Sequence, residues 1–129
     1  MPYEKKRIDT IQTLINAVRL DDSPTSYNSD AINTEDFTDF LLFLNIDSTL
    51  APTDVVFIVQ FSDDGGTTWY DYQNDFWGDL RYEDVATAAG IKECLHGKVG
   101  GRKMRLRAVA TGTDATNYFD ITAKIELFR

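Results

Sequence analysis

The stretch RKMRLRAVAT, residues 102–111, alternates without a break. Met104, Leu106, Ala108 and Ala110 fall on one side, and Lys103, Arg105 and Arg107 on the other. Successive side chains leave a strand on opposite faces, so a period of two marks a strand with one buried side. FDITAKIELF (119–128) repeats the pattern, with Phe119, Ile121, Ala123, Ile125 and Leu127 inward and Asp120, Thr122, Lys124 and Glu126 outward. Upstream, FTDFLLFLNI (37–46) and TDVVFIVQF (53–61) are apolar, β-rich runs. DSTLAP joins them, and its Pro52 interrupts any ladder before the second run.

Weaker strands are expected over 8–19 and around Tyr27–Asn33, with two more beside the corner at 62–66 and the DFWGDL segment. One short helix is conceivable in RYEDVATAAG (81–90), where Glu83 and Asp84 favour a first turn and Gly90 stops it. Eight or so strands with closely spaced turns predict an all-β domain, a closed barrel or an antiparallel two-sheet sandwich. The sandwich, with at most one short helix, is the expected fold. Residues 1–7 form an N-terminal arm and 8–129 a single domain.

At 129 residues and 14.6 kDa the chain is long enough to bury about two thirds of its unfolded surface. Its one cysteine, Cys94, permits no internal disulfide. The start, MPYEKKRIDT, has no apolar signal region, and no run approaches the roughly 20 apolar residues of a membrane span. Assembly in a cytoplasm, away from membranes, is therefore expected. A net charge of −8 argues against nucleic acid as the partner, because phosphate neutralisation needs clustered cations. Such clusters as exist, EKKR at the start and GRKMRLR at 101–107, hold seven of the thirteen Lys and Arg residues.

In FSDDGGTTWYDY (61–72), the residues Ser62, Asp64, Gly66, Thr68 and Trp69 resemble the Asp-box hairpin of sialidase-type propellers. A propeller blade needs about 40 residues and several copies, and this chain has no repeat. The box is expected to act as a turn. Gly65 and Gly66 take positive φ, the Asp64 carboxylate accepts loop N–H groups, and Trp69 closes over the hairpin.

Catalytic patterns are sparse. Cys94 and His96 would share a face if they lie on a strand, as a dyad or metal pair would need. No other Cys or His completes a zinc site, and a loop histidine beside a packed cysteine is the expectation. No G-x-S-x-G supports a serine nucleophile. The carboxylates, from Asp21 to Asp84, concentrate in turns, where Asp bonds locally. DDSPTSYNSD lacks EF-hand spacing. The DGG and VGG glycines lead into strands, so neither forms a phosphate loop. No metal, cofactor or catalytic residue is expected.

Three features point to interaction instead. Trp69, Tyr70, Tyr72, Phe76, Trp77 and Tyr82 crowd fourteen residues among Asp, Asn and Gln. Such rings suit a protein hot spot, a sugar platform or simply the end of a core. Two strands are apolar on both sides: Phe37, Leu41 and Phe43 oppose the inward residues of 37–46, and Val56 and Ile58 those of 55–61. A two-layer sandwich has one inner layer, so these five need cover from their own chain or from another subunit. Lastly, the stripe of Lys103, Arg105 and Arg107 either pairs with neighbouring acids or meets an acidic partner.

The whole layout resembles the small β-sandwich decoration, or cement, proteins of tailed-phage capsids. The resemblance rests on the charged arm, SYNSDAIN leading into FTDFLLFLNI, the VVFIVQFSDDGGTTWYD hairpin, KMRLRAVATGT and the terminal AKIELFR. It implies a jelly-roll-like sandwich, assembled as a trimer and bound to major capsid protein subunits on the virion surface. Phe37, Leu41, Phe43, Val56 and Ile58 would then be oligomer contacts, with the arm and the cationic strand touching an acidic shell. The competing expectation is a carbohydrate-binding module or tail adhesin, with Tyr70, Tyr72 and Trp77 stacking on sugar rings and nearby Asp and Asn reading the hydroxyls.

Overall fold

The computed structural model describes residues 11–49, 52–72, 80–83 and 90–129. In chain order the strands are β1 (Gln12–Leu20), β2 (Ser26–Asn28), β3 (Ile32–Asn33), β4 (Asp39–Thr49) and β5 (Asp54–Ser62). They continue with β6 (Tyr70–Asp71), β7 (Leu80–Glu83), β8 (Ile91–Lys98), β9 (Lys103–Thr111) and β10 (Tyr118–Phe128). Sheet A has the order β1-β10-β4-β8. Sheet B has the order β2-β9-β5-β6, with β3 also on β9 and β7 also on β5.

The alternating segments pair so that inward residues meet inward residues. In sheet A, Phe40 stands opposite Leu127, Leu42 opposite Ile125, Leu44 opposite Ala123 and Ile46 opposite Ile121. In sheet B, Phe57 faces Ala108, Val59 faces Leu106 and Phe61 faces Met104. Alanine stands opposite a larger residue at Leu44–Ala123 and Phe57–Ala108, and the other pairs set large side chains together, so the two inner layers meet as one apolar core. All of these side chains are buried.

β2 and β3 lie along different parts of β9, and β6 and β7 along different parts of β5, so each pair acts as one interrupted strand. With those merged, eight strands remain, four per sheet, and most connections cross between sheets. This is the wiring of a jelly roll.

No helix occurs among the described residues. Arg81, Tyr82 and Glu83, the start of the segment expected to be helical, belong to β7, with Tyr82 buried and Arg81 and Glu83 exposed. A period of two therefore overrides the helix-start signal of Glu83 there. Residues 84–89 of that segment lie outside the described residues, as do arm residues 1–7.

Candidate interaction surfaces

The outer face of sheet B carries the cationic stripe. Register puts Val56 opposite Val109, Ile58 opposite Arg107 and Gln60 opposite Arg105. The Arg105 Nε donates to Gln60 Oε1 at 2.7 Å, and Gln60 Nε2 donates to Asp71 Oδ1 at 2.8 Å. Arg107 Nη1 donates to Asn28 Oδ1 at 3.0 Å. The Arg105 guanidinium also lies 4.5 Å from the centroid of the Trp69 ring, a cation–π contact that fixes its plane. Burial, then repulsion from Arg107, lowers the Arg105 pKa from its ordinary value.

The first partners of these arginines are amide oxygens. Among the described residues, no ion pair neutralises Lys103, Arg105 or Arg107. The described strands therefore supply no acid for the ladder that was the expected alternative. What remains is a half-buried apolar strip of Val56, Ile58 and Val109 bordered by cations that form no ion pair among the described residues.

The outer face of sheet A is arranged differently. Leu41 lies between His96 on β8 and Glu126 on β10, and Phe43 lies between Cys94 and Lys124. Leu41 and Phe43 are half-buried, and a shallow hollow of about 390 Å³ lies over Phe43, Asn45, Cys94 and Lys124. At one end the Asp39 carboxylate is 1% exposed. It lies 2.7 Å from His96 Nε2 and accepts from Lys98 Nζ at 3.1 Å, both on exposed side chains.

Cys94 and His96 therefore correct the expectation of a packed cysteine and a loop histidine. Both lie on β8, both face outward, and both are exposed. No group of three or more potential metal-ligating side chains occurs among the described residues.

The five residues expected to form one oligomer contact are not brought together. Leu41 and Phe43 lie outside sheet A, and Val56 and Ile58 lie outside sheet B, on opposite sides of the molecule. Phe37, just before β4, packs against the core. Stacking one outer face on the other would give an open file of copies, not a closed ring.

The aromatic segment also divides. Tyr72 does not stand out as a platform ring. It packs edge-on against Phe61 at 5.3 Å and Phe40 at 6.4 Å, and its hydroxyl accepts from the Lys98 N–H. Tyr82 is buried against Phe57, and its hydroxyl donates to Glu93. Burial, then that hydrogen bond, raises the Tyr82 pKa. Tyr70 is exposed, while Phe76 and Trp77 lie outside the described residues. Val109 and Asn28 belong to the cationic face but were not singled out from sequence. Val109 has the same parity as Arg107 and was legible on that ground; Asn28 was not.

The 62–69 turn is held by a compact set of hydrogen bonds. Ser62 Oγ donates to Asp64 Oδ1 at 2.8 Å and accepts from the Gly66 N–H at 2.9 Å. Asp64 Oδ1 also accepts the N–H groups of Thr67 and Thr68, and Gly65 and Gly66 have φ of 84° and 103°. Trp69 Nε1 donates to the Gly66 carbonyl at 3.1 Å. Asp114 builds a second such turn by accepting from the Thr116 and Asn117 N–H groups.

Hydrogen bonds to the charged form, led by the Thr68 N–H, hold Asp64 well below the ordinary carboxylate range. Those led by the Thr116 N–H lower Asp114 from 3.8 to about 2. A depressed folded-state pKa stabilises above the unfolded value, and the stabilisation is lost as pH falls through the folded one. Stability should therefore fall between pH 3.8 and about 2. In an Asp64→Asn, Asp114→Asn double variant, stability should be lower at neutral pH and vary less across that window. Urea melts at pH 7, 4, 3 and 2 check this; parallel curves for the two proteins would refute it.

No protein-family model matches the chain, and no curated protein matches it.

Proposed function

We propose that this protein is a non-enzymatic structural protein that binds the outside of a tailed-phage head and stabilises it. The observation that carries the reading is the outer face of sheet B, where apolar Val56, Ile58 and Val109 lie beside Arg105 and Arg107, which form no ion pair among the described residues, on a chain of net charge −8. Within the described part of the domain those cations meet amide oxygens and a ring, and none of these carries a counter-charge. An acidic partner surface supplies both charge complement and apolar cover. Each contact is modest, and stabilisation comes from several copies gripping neighbouring shell subunits. The arm at residues 1–7 would add cationic contacts to the same shell.

Of the three rings of the glycan alternative, Tyr72 packs against the core, Tyr70 is exposed and Trp77 lies outside the described residues, so that reading loses one ring. The test is co-sedimentation with expanded heads of the encoding phage. Arg107→Glu and Val56→Asp should each weaken binding at least about tenfold, the effect of roughly 1.4 kcal/mol per contact. Raising the salt well above about 0.15 M should weaken binding by wild type, because exposed charges are then screened. Phe43→Asp, on the opposite face, should leave head binding intact. Equal binding by wild type and both sheet B variants would overturn the reading.

A further inference from the structure

We infer that β8 is a pairing edge, and that its partner is β8 of a second copy of this chain, antiparallel about a two-fold axis at Cys94. The directions of its backbone groups follow from the register. The Val99 N–H donates to the Thr38 carbonyl at 2.8 Å, so 99 and 38 form a hydrogen-bonded pair, and Lys98 stands opposite Asp39. Bonding pairs alternate along an antiparallel ladder. Residues 91, 93, 95 and 97 therefore bond inward to β4, and 92, 94, 96 and 98 aim their N–H and C=O groups away from it. The Lys98 N–H bears this out, since it donates outward, to the Tyr72 hydroxyl at 3.3 Å. That hydroxyl closes the open run at Lys98 and leaves Lys92, Cys94 and His96.

Among the described residues no strand lies beyond β8, and Lys92, Glu93, Cys94 and His96 are exposed. The other edges are blunted. β1 carries two register shifts and the positive-φ residue Ala17, while β2, β3, β6 and β7 have two to four residues each. Bulges and short lengths are how edges avoid association. β8 has neither, with eight residues in unbroken register.

The three outward residues are symmetric about Cys94, which makes the edge complementary to itself. A two-fold pairs Cys94 with Cys94 of the second copy and Lys92 with His96 in both directions. All three residues are used, in about six hydrogen bonds. Phe43 stands beside Cys94 on the outer face, so the junction joins two half-buried apolar patches into one. The axis is perpendicular to sheet A. Both copies then turn their sheet B faces the same way, and the dimer offers two cationic faces to one surface, the geometry that avidity needs. The contact has two-fold symmetry, not the three-fold that the resemblance implies.

The pairing is tested without any shell, so its failure is separate from failure of head binding. A strand-edge contact is small, and affinity in the micromolar range or weaker is expected. In sedimentation equilibrium with a reductant, the mass should rise from 14.6 kDa toward twice that value as concentration increases. Cys94→Glu, which sets two carboxylates face to face, should hold it at the monomer value.

Opposite residues of a bonded pair have Cα atoms about 5.5 Å apart, within disulfide range. Mild oxidation should therefore cross-link wild type at least ten times faster than a Cys94→Ser, Lys92→Cys variant, whose thiol faces residue 96. A mass fixed at the monomer value up to about 1 mM, a trimer mass, or equal cross-linking rates would each overturn the inference.

Discussion

Replacing Phe40 with alanine should remove about 3–5 kcal/mol of stability, the range for deleting a fully buried ring. Phe40 is wholly buried on the inner face of β4, opposite Leu127, and meets the rings of Phe61 at 6.3 Å and Tyr72 at 6.4 Å. Phe61 comes from sheet B, so the ring ties the two layers together, and Tyr72 closes that end of the core. Phe61 is held in place by its pairing in β5, and Tyr72 by the hydrogen bond from its N–H to the Val59 carbonyl, so neither backbone can follow its ring into the void. Domains of this size carry about 5–15 kcal/mol in total, so the variant would sit near the edge of folding. Its melting temperature should fall by roughly 12–20 °C.

Phe43→Ala is the matched control, because Phe43 lies three residues on and points out of the same strand. Its loss should be about 1 kcal/mol. Denaturant melts of the two variants, with unchanged m-values, decide the matter. Equal losses would mean that β4 does not sort its side chains between core and outer face as described.

That sorting was readable in the sequence because a strand has a fixed period. Met104, Leu106, Ala108 and Ala110 face inward for the same reason as Phe119, Ile121, Ala123, Ile125 and Leu127, and parity alone assigns them. Parity says nothing about which sheet a strand joins. Leu41 and Phe43 carry the same signature as Val56 and Ile58, yet they end on opposite sides of the molecule. β4 pairs with β10 and β5 with β9, choices made by contacts more than forty residues apart in the chain.

β8 was missed as a strand for a different reason. Its inward side carries only Ile91 and Leu95 as apolar side chains, separated by Glu93 and followed by Gly97, so the alternation is broken and IKECLHGK reads as a polar loop. Tyr72 falls under the end-of-core alternative, which the sequence left open because an aromatic among polar residues has the same local signature at a core margin as at a binding surface. The second copy inferred at β8 and the cationic face of sheet B both depend on these placements. The candidate sites were therefore less legible than the fold.

Gly112→Ala should cost about 3 kcal/mol or more, although the position is exposed and no core contact is lost. Gly112 has φ of +72°, where an L side chain is strained by about 1–2 kcal/mol. The Thr53 N–H donates to the Thr111 carbonyl at 3.0 Å, and this bond draws the start of β5 against the end of β9. A Cβ on residue 112 would then lie 2.0 Å from Thr53 Oγ1, 2.8 Å from its Cβ and 2.9 Å from its N. The backbone nitrogen is fixed by the hydrogen bond, so relief requires opening the β5–β9 corner.

At about 4 °C per kcal/mol, the melting temperature should fall by roughly 12 °C. A Thr53→Gly, Gly112→Ala double variant separates the causes. It removes the Oγ1 and Cβ overlaps but keeps the φ strain and the contact with the nitrogen, so it should recover part of the loss relative to Thr53→Gly alone. Full recovery would assign the whole effect to the threonine side chain. No recovery would assign it to the backbone. A Gly112→Ala protein as stable as wild type would show that the corner opens freely, and that the Thr53–Thr111 bond does not hold the two strands together at this end of sheet B.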